Sequence, residues 1–441
     1  MGVSPPRQAQ PGPAAVSARA LALETLAAVL EQRRPLDEIL ESDRNGSRLA
    51  PRDRAFARLL VATTLRHFGQ LDRIIEGCLD RPLPRRATGV RQLLRLGICQ
   101  LLFLGTPPHA AVDTTVALTA GRSGEAGFKG LINAILRRVD RERAAWLEQT
   151  ADPSLNTPPW LWDSWVGAYG TDRARAIAGA HLREPPLDLT VKLDAAAWCD
   201  RLGATLLPTG SLRLPLDGLI EALPGFSEGA WWVQDAAAAL PARLLGDVAG
   251  KRVIDLCAAP GGKTAQLAAT GADVIAVDRS APRLERLRNN LARLGLQAAT
   301  ITADATAWRP ERPANAVLVD APCSATGTIR RHPDVPWLKR PEDVSKLAAL
   351  EARLLRAAIA MVEPGGLIVF CTCSLQPEEG PAQIAALLGE SAPVERLPIR
   401  PSEIGGLDSL IDAEGDLRTL PCHLGEQGGI DGFFASRLRR R

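Results

Sequence analysis

Two cysteines of this sequence, Cys323 and Cys373, stand where a thiol could act as a nucleophile. Cys323 comes three residues after Asp320, and Cys373 comes two residues after a further thiol, Cys371. A single buried cysteine usually behaves as a small hydrophobic residue. Each of these two, however, follows a predicted buried strand, and the carboxyl ends of parallel strands meet at one edge of a sheet. Two thiols and a carboxylate at that edge predict covalent, nucleophilic catalysis.

A glycine turn is predicted to hold a cofactor beside these thiols. The apolar strand that contains Val253, Ile254 and Leu256 runs into the small residues Ala258–Gly262, and a helix is predicted over Lys263–Ala269. In α/β folds this order of strand, turn and helix places a ligand at the carboxyl edge of the sheet. Small side chains let the backbone approach the ligand, and the first amides of the helix are free to donate.

Three cofactors could use such a turn. The phosphate-binding pattern G-x-x-x-x-G-K-[ST] matches at Gly262-Lys263-Thr264, but Cys257 stands in place of its first glycine. The dinucleotide pattern G-x-G-x-x-G is absent. The third candidate, S-adenosylmethionine, is favoured by Asp278, which ends the next predicted strand about 20 residues later, where such folds bind ribose hydroxyls.

Two more predicted strands end in acids, Asp304 and Asp320. A lone aspartate at such a position can simply cap the following helix. Three acids after three strands, together with the glycine turn, converge on one crevice instead. The agreement of these features predicts a cofactor site.

Composition limits the class of protein. The chain has 441 residues, of which 46% are hydrophobic, so two or three domains are expected. There is no apolar run that could span a membrane and no signal-peptide pattern at the start. Eight scattered cysteines without a C-x-x-C pair, and five histidines without ligand spacing, predict neither a metal site nor disulfides. A cytoplasmic protein is expected.

Periodicity divides the chain into unlike parts. Residues 1–16 are predicted to be a disordered tail, residues 17–150 an all-α domain, residues 151–225 a small α/β intermediate module, and residues 226–441 an α/β Rossmann-like domain. The net charge of the chain is only +3. Residues 17–147 by themselves have a net charge of roughly +7, and the rest of the chain is negative; the basic domain suggests phosphate contacts but equally fits a solvated basic face. A last strand is predicted at 431–436, and the family resemblance given below implies that it is antiparallel at the sheet edge; residues 437–441 are predicted to be a solvated tail, although phosphate contact is possible.

One chemical problem requires two thiols and an acid. Carbon 5 of cytosine is too poor a nucleophile to attack a sulfonium methyl group. A thiolate that adds to carbon 6 turns the ring into an enamine, whose carbon 5 can attack. An acid near N3 stabilises the developing charge, and a base must then remove the proton from carbon 5 so that the thiolate leaves. The target base must first leave its stack.

Three motifs resemble those of the RNA cytosine-C5 methyltransferase family: Cys257–Lys263, Asp320–Cys323 and Thr372–Ser374. From about Ala18 to the C-terminus the chain resembles the bacterial RsmB (Sun/Fmu) branch, which methylates small-subunit ribosomal RNA. Within Arg95–Val139, the stretches T-P-P-H-A-A-V-D and G-L-I-N-A-I-L-R-R-V are similar to the NusB-like RNA-binding domain of that branch.

The resemblance implies a role for each motif residue. It implies that Cys373 is the nucleophile, that Cys323 assists product release, and that Asp320 lies between cofactor and target base. It places Asp278 at the ribose and Asp304 near the adenine. The residues implied to bind S-adenosylmethionine are Cys257, Ala258, Ala259, Pro260, Gly261, Gly262, Lys263, Asp278, Asp304 and Asp320. The implied partner is small-subunit (16S) ribosomal RNA, bound by a monomer without metal or membrane.

Three other functions stay open at this stage. The substrate could be another RNA, such as tRNA. The chain could be an RNA-binding assembly factor, although the intact glycine turn, acids and cysteines argue for an enzyme. A DNA cytosine methyltransferase would use the thiol of a Pro-Cys pair such as Pro322-Cys323; the additional Cys373 and the helical domain favour RNA.

Overall fold

The computed structural model describes residues 17–42, 49–120, 122, 124–215 and 218–441. The chain forms two compact units that divide after Asn156. The predicted disordered tail, residues 1–16, lies outside the described residues.

The first unit is all-α in its described residues, as the sequence predicts. Its central helix is apolar on nearly every side, with Leu93, Leu96 and Ile98 buried, and it packs against five of the others. The eight helices are α1 (Ala18–Gln32), α2 (Leu36–Ser42), α3 (Pro51–Arg66), α4 (Phe68–Cys78), the central α5 (Thr88–Leu102), α6 (Pro108–Ala117), α7 (Lys129–Arg141) and α8 (Arg143–Gln149).

The second unit begins with two helices and a small sheet. The elements are α9 (Pro159–Tyr169), α10 (Thr171–His181), β1 (Leu187–Val191), α11 (Ala195–Leu202), β2 (Thr205–Leu206), β3 (Leu212–Leu214) and β4 (Trp231–Val233). The strands pair in the order β2-β3-β1-β4, all antiparallel. The last strand of this sheet, β4, follows Gly225, the residue at which the sequence predicts the intermediate module to end. The predicted domain boundaries remain a proposal.

The rest of the second unit is a Rossmann-like sheet with helices, as predicted. Its elements are α12 (Leu240–Arg243), β5 (Arg252–Leu256), α13 (Gly262–Ala269), β6 (Asp273–Asp278), α14 (Ala281–Leu294), β7 (Ala299–Thr302), β8 (Ala314–Asp320), α15 (Val335–Leu338), α16 (Pro341–Met361), β9 (Val362–Thr372), α17 (Pro381–Gly389), β10 (Val394–Arg396), β11 (Leu417–Thr419) and β12 (Phe433–Arg440). The strand order is β10-β12-β9-β8-β5-β6-β7, and β11 also pairs with β12. Strands β5 to β9 run parallel, and β12 is antiparallel to β9.

The prediction for the C-terminus is wrong in two respects. Strand β12 lies between β9 and β10 rather than at the sheet edge, and it includes most of the predicted solvated tail. The physical reason is side-chain pairing: Arg437 Nη2 lies 3.1 Å from Glu403 Oε2, and its backbone carbonyl accepts a hydrogen bond from Leu397. In the sequence alone, Arg437 looks like a solvated tail residue, because its partner Glu403 lies 34 positions away.

Both faces of the central strands are covered. On one face, Ile254 and Val317 pack with Leu354 of α16. On the other, Val253 and Leu318 pack with residues of α12 and α13. Because both faces of this parallel sheet are covered, a ligand can reach it mainly at the carboxyl ends of its strands. That edge carries the predicted site residues.

Candidate active site

The glycine turn after β5 is fixed by contacts with β6 and α14. Ala258 donates its amide to the carbonyl of Val277 (3.1 Å). Gly261 has φ of +104°, and a Cβ there would lie 2.6 Å from Cγ of Leu287, so a larger residue would be strained and would clash. Helix α13 starts at Gly262, where the first amides of a helix have no intrahelical acceptor. The turn is therefore a compact donor surface at the sheet edge.

Asp278 ends β6 beside this turn and is 3% exposed. Its Oδ2 accepts the amide of Ala259 (3.2 Å), and its Oδ1 accepts the amide of Ser280 (2.9 Å). A carboxylate offers about four acceptor positions, so Asp278 can hold the turn and still accept two hydroxyl groups. The sequence predicts that Asp278 ends a strand beside the turn, but it does not predict the hydrogen bond that Asp278 accepts from the turn.

Asp304 follows β7 and is exposed at the same edge. Its Oδ1 accepts the amide and the hydroxyl of Thr306, at 2.9 and 2.8 Å. These bonds lower the pKa of Asp304, so it is a carboxylate at neutral pH. The two acids and the turn lie after adjacent strands β5, β6 and β7 and fit a ligand with ribose hydroxyls and a positive charge.

Asp320 ends β8 and pairs with a lysine of the glycine turn. Lys263 Nζ lies 2.8 Å from Asp320 Oδ2. Burial alone would lower the pKa of Lys263, but Asp320 and two neighbouring cysteines raise it overall, so Lys263 stays a cation. The Asp320 side chain is 31% exposed and remains open to the crevice.

The sulfurs of Cys323 and Cys373 are in contact, 3.4 Å apart, and both residues are half-buried. The hydrogen bond to Cys373, followed by burial, holds the pKa of Cys323 well above its ordinary value. The raised pKa favours the protonated thiol of Cys323, and either sulfur can donate in the contact between the two residues.

Cys371 lies two residues before Cys373 but has a different environment. It is fully buried on the sheet face formed by Val369 and Ala435. Burial raises its pKa well above the ordinary value, and its S–H donates to Asp320 Oδ1 over 3.4 Å. Burial likewise raises the pKa of Cys257 to about 12. These two thiols are protonated and are poor nucleophiles.

Sequence reasoning missed a buried polar cluster behind the two cysteines. Ser324 and Ser374, the residues that follow them, both donate to the carboxylate of Glu379. A second buried acid, Glu351 of α16, has no hydrogen-bond partner among the described residues. The available signal was Pro377-Glu378-Glu379 directly after a predicted strand, which on sequence alone is typical of a helix start.

Helix α9 supports the turn after Cys373 from behind. Trp165 Nε1 donates to Gln376 Oε1, Gln376 Nε2 donates to Ser164 Oγ, and both bonds are 2.9 Å long. Tyr169 donates its hydroxyl to the carbonyl of Leu375 (2.5 Å). The turn that follows Cys373 is thus anchored to α9, and it also bonds to the loop that follows Cys323, where the Thr326 hydroxyl accepts the amide of Leu375 (2.9 Å).

Buried ion pairs join the loop after Cys323 to the small sheet. Arg331 lies 3.7 Å from Asp188 of β1, 2.6 Å from Asp235, which follows β4, and 3.1 Å from Asp431, which precedes β12. Burial alone would raise the pKa of Asp235, but Arg331 and Arg330 lower it to about 2. The small sheet therefore acts as a fixed support for that loop.

The structure also bears on metals and membranes. In the described ranges, no group of three or more His, Cys, Asp or Glu side chains is arranged to hold a metal ion. No helix there has both the length and the apolar character needed to cross a bilayer. All eight cysteines are free thiols.

The parallel sheet, the glycine turn and the acids at its carboxyl edge define the class of S-adenosylmethionine-dependent methyltransferases. Residues 242–439 match the family described as 16S rRNA methyltransferase RsmB/F, and residues 16–141 match the NusB family. The chain belongs to the RsmB/F family of 16S rRNA methyltransferases, and its methyl donor is S-adenosylmethionine.

Individual relatives support this assignment. The chain is 37% identical to the ribosomal RNA small subunit methyltransferase B of Salmonella typhi, over 96% of this chain and 98% of that protein. Among solved structures, the protein titled PH0851 matches 96% of this chain and 99% of its own, with a TM-score of 0.73 and 21% identity, which shows a common fold. A methyltransferase homolog from Pyrococcus horikoshii matches 66% of this chain and 98% of its own, with a TM-score of 0.55 and 26% identity.

Proposed function

We propose that this protein transfers a methyl group from S-adenosylmethionine to carbon 5 of a cytosine in 16S ribosomal RNA, through a covalent bond between Cys373 and carbon 6. The observation that carries the proposal is the contact between the sulfurs of Cys373 and Cys323, 3.4 Å apart and beside Asp320. Methylation of an exocyclic nitrogen or a ribose hydroxyl would not need two adjacent thiols.

Each of the three residues has one task in this scheme. The Cys373 thiolate forms a bond to carbon 6, and the electron pair of the 5,6 double bond shifts so that carbon 5 becomes nucleophilic. Asp320 stabilises the charge that develops at the N3 side of the ring. S-adenosylmethionine supplies the electrophilic methyl group to carbon 5. The proton on carbon 5 then passes to a base, in a step in which Cys323 takes part. The electron pair of that C–H bond restores the 5,6 double bond, and the bond between Cys373 and carbon 6 breaks to return the thiolate.

The cofactor would be held by residues of the glycine turn and the strand ends. These are Cys257, Ala258, Ala259, Pro260, Gly261, Gly262, Lys263, Asp278, Asp304 and Asp320. Asp278 would accept the ribose hydroxyls, because its carboxylate keeps two acceptor positions beside the turn. Asp304 would lie near the adenine, since it follows the next strand outward in the sheet.

The role of Asp278 can be tested by binding. We expect Asp278→Ala to weaken binding of S-adenosylhomocysteine about 10- to 100-fold, because a lost hydrogen bond to a charged group costs about 1.5–3 kcal/mol. Titration calorimetry measures this. Asp273→Asn, at the opposite end of the same strand, is the control and should bind as the wild type does. Unchanged affinity in Asp278→Ala would refute the assignment.

The substrate is proposed from charge and relatives. The helical unit carries roughly +7 over residues 17–147, and it belongs in sequence to the NusB family. Arginine contacts with phosphates would hold the RNA without reading its sequence. Monomeric state and cytoplasmic location stay predictions.

A direct assay tests the whole proposal. Purified protein and labelled S-adenosylmethionine would be given 16S ribosomal RNA, tRNA or duplex DNA, and the products mapped by bisulfite sequencing. We expect label in 16S ribosomal RNA at a position that becomes resistant to bisulfite conversion. Label in 16S ribosomal RNA without such resistance would refute the cytosine-C5 chemistry, and label only in tRNA or DNA would refute the substrate.

A further inference from the structure

One buried carboxylate joins the two segments that carry the cysteines. Glu379 is fully buried, and its Oε1 accepts the backbone amide of Ser324 at 2.8 Å. Its Oε2 accepts the hydroxyl of Ser324 and, at 2.5 Å, the hydroxyl of Ser374. We call the carboxylate of Glu379 and its three donors, the amide and hydroxyl of Ser324 and the hydroxyl of Ser374, the Glu379 clamp. Ser324 follows Cys323 and Ser374 follows Cys373, so the clamp acts on the immediate neighbours of both thiols.

The Glu379 clamp is itself held in place. The hydroxyl of Thr372, the last residue of β9, donates to the carbonyl of Glu379 (2.8 Å). Helix α16 packs against the turn formed by residues 377–379. The two serine hydroxyls also touch each other, 3.1 Å apart. The carboxylate therefore has little freedom to move, and the donors that it orders have little freedom too.

The loop after Cys323 needs such a constraint. Ala325 has φ of +60°, a left-handed conformation that costs an alanine about 1 kcal/mol or more. Residues are held in such conformations only when surrounding contacts fix them. Two of the three hydrogen bonds of the Glu379 carboxylate go to Ser324, the residue directly before Ala325.

The segment of Cys373 depends on the clamp much less. The turn that follows Cys373 is anchored to α9 through Gln376 and Leu375. The bond from the amide of Gly327, in the Cys323 loop, to the carbonyl of Cys373 (3.0 Å) is additional to this anchor. Loss of the carboxylate would thus release the Cys323 loop more than the Cys373 turn. Attack by Cys373 would continue, while the step that needs Cys323 would fail.

We propose that Glu379 is a positioning residue that keeps Cys323 against Cys373 and thereby controls release of the methylated RNA. This inference rests on the proposed covalent mechanism.

The charges in the cluster agree with that role. Burial, together with the nearby Glu379 and Cys373, raises the pKa of Glu351 to about 10, so Glu351 is protonated at neutral pH. Burial also raises the pKa of Glu379, but the bonds from Ser324 and Ser374 oppose this shift. Of the two acids, Glu379 has three hydrogen-bond donors on its carboxylate, whereas Glu351 has none among the described residues.

The test is the Glu379→Gln variant, analysed for a denaturant-resistant complex with RNA. Its side-chain amide nitrogen would replace the oxygen that accepts both serine hydroxyls, and these hydroxyls would have to turn and accept instead, so the clamp should loosen. We expect release about 10- to 100-fold slower than in the wild type, and an RNA–protein adduct that accumulates on a denaturing gel. The adduct should vanish in Glu379→Gln/Cys373→Ala. The matched control is Glu378→Gln, whose exposed side chain lies next in the chain.

Two further variants separate the possible outcomes. Cys323→Ala serves as the reference for adduct accumulation; if it forms none, the proposed function fails, and this inference fails with it. If Cys323→Ala forms the adduct but Glu379→Gln loses activity without forming it, only the inference is overturned. Ser324→Ala removes one hydroxyl and keeps the carboxylate, so it should fold and form less adduct than Glu379→Gln does. Wild-type kinetics in Ser324→Ala, together with no adduct in Glu379→Gln, would also overturn the inference.

Discussion

Alanine at Cys373 should abolish methyl transfer, and alanine at Cys323 should trap RNA on the protein. Without the Cys373 thiol no bond to carbon 6 can form, so we expect activity to fall by about 10³-fold or more, as when a catalytic nucleophile is removed. Cys323→Ala keeps that nucleophile and should transfer one methyl group. It then lacks the thiol that lies 3.4 Å from Cys373, so the methylated base should stay bound.

A denaturing gel with RNA and cofactor distinguishes these outcomes. We expect a shifted band for Cys323→Ala, and none for Cys373→Ala or for the double variant. If Cys323 were the nucleophile, as in the DNA-type alternative, Cys373→Ala would be the trapped form. Cys371→Ala is the control: its side chain is fully buried and its thiol stays protonated, so it should remain active without a trapped band.

The second large effect concerns stability and its dependence on pH. Glu351 is fully buried, its two oxygens have no partner among the described residues, and its pKa rises from 4.5 to about 10. Below pH 4.5 the acid is protonated in both states and the difference in pKa has no effect. As the pH rises, unfolding releases this proton, so the acid favours the unfolded state increasingly until the folded pKa is reached.

Glu351→Gln removes this proton release and keeps the shape of the protonated acid. We therefore expect it to raise the free energy of unfolding relative to the wild type by on the order of 3 kcal/mol at pH 7, with a smaller gain near pH 5 and a larger one near pH 9. Urea unfolding at these three pH values measures it. Glu342→Gln, at an exposed position in the first turn of the same helix, is the control. A gain that does not change with pH would contradict the prediction.

Much of the site follows from the sequence, because strand direction decides which chain ends meet. The buried apolar run at Val253 predicts a strand covered on both faces. Asp278 and Asp320 each end a further strand, and Asp304 closely follows another. Parallel strands share one carboxyl edge, so these residues had to converge without any knowledge of side-chain packing. The same rule predicts that Cys323 and Cys373 lie near each other, and their sulfurs are in contact.

Other features depend on contacts between residues that are distant in the chain. Cys371 and Cys373 look alike in sequence, but burial by β12 and the helices beneath the sheet keeps the Cys371 thiol protonated, as a donor to Asp320. The Glu379 clamp joins Ser324 to Ser374, which are 50 positions apart, and no periodicity indicates such a pairing. Strand and helix patterns arise from the local backbone and from the separation of apolar and polar faces, so the sequence by itself determines them. Hydrogen bonding, pKa and the fit of one carboxylate between two loops depend on where the packed chain brings each polar group, and only the tertiary structure decides that.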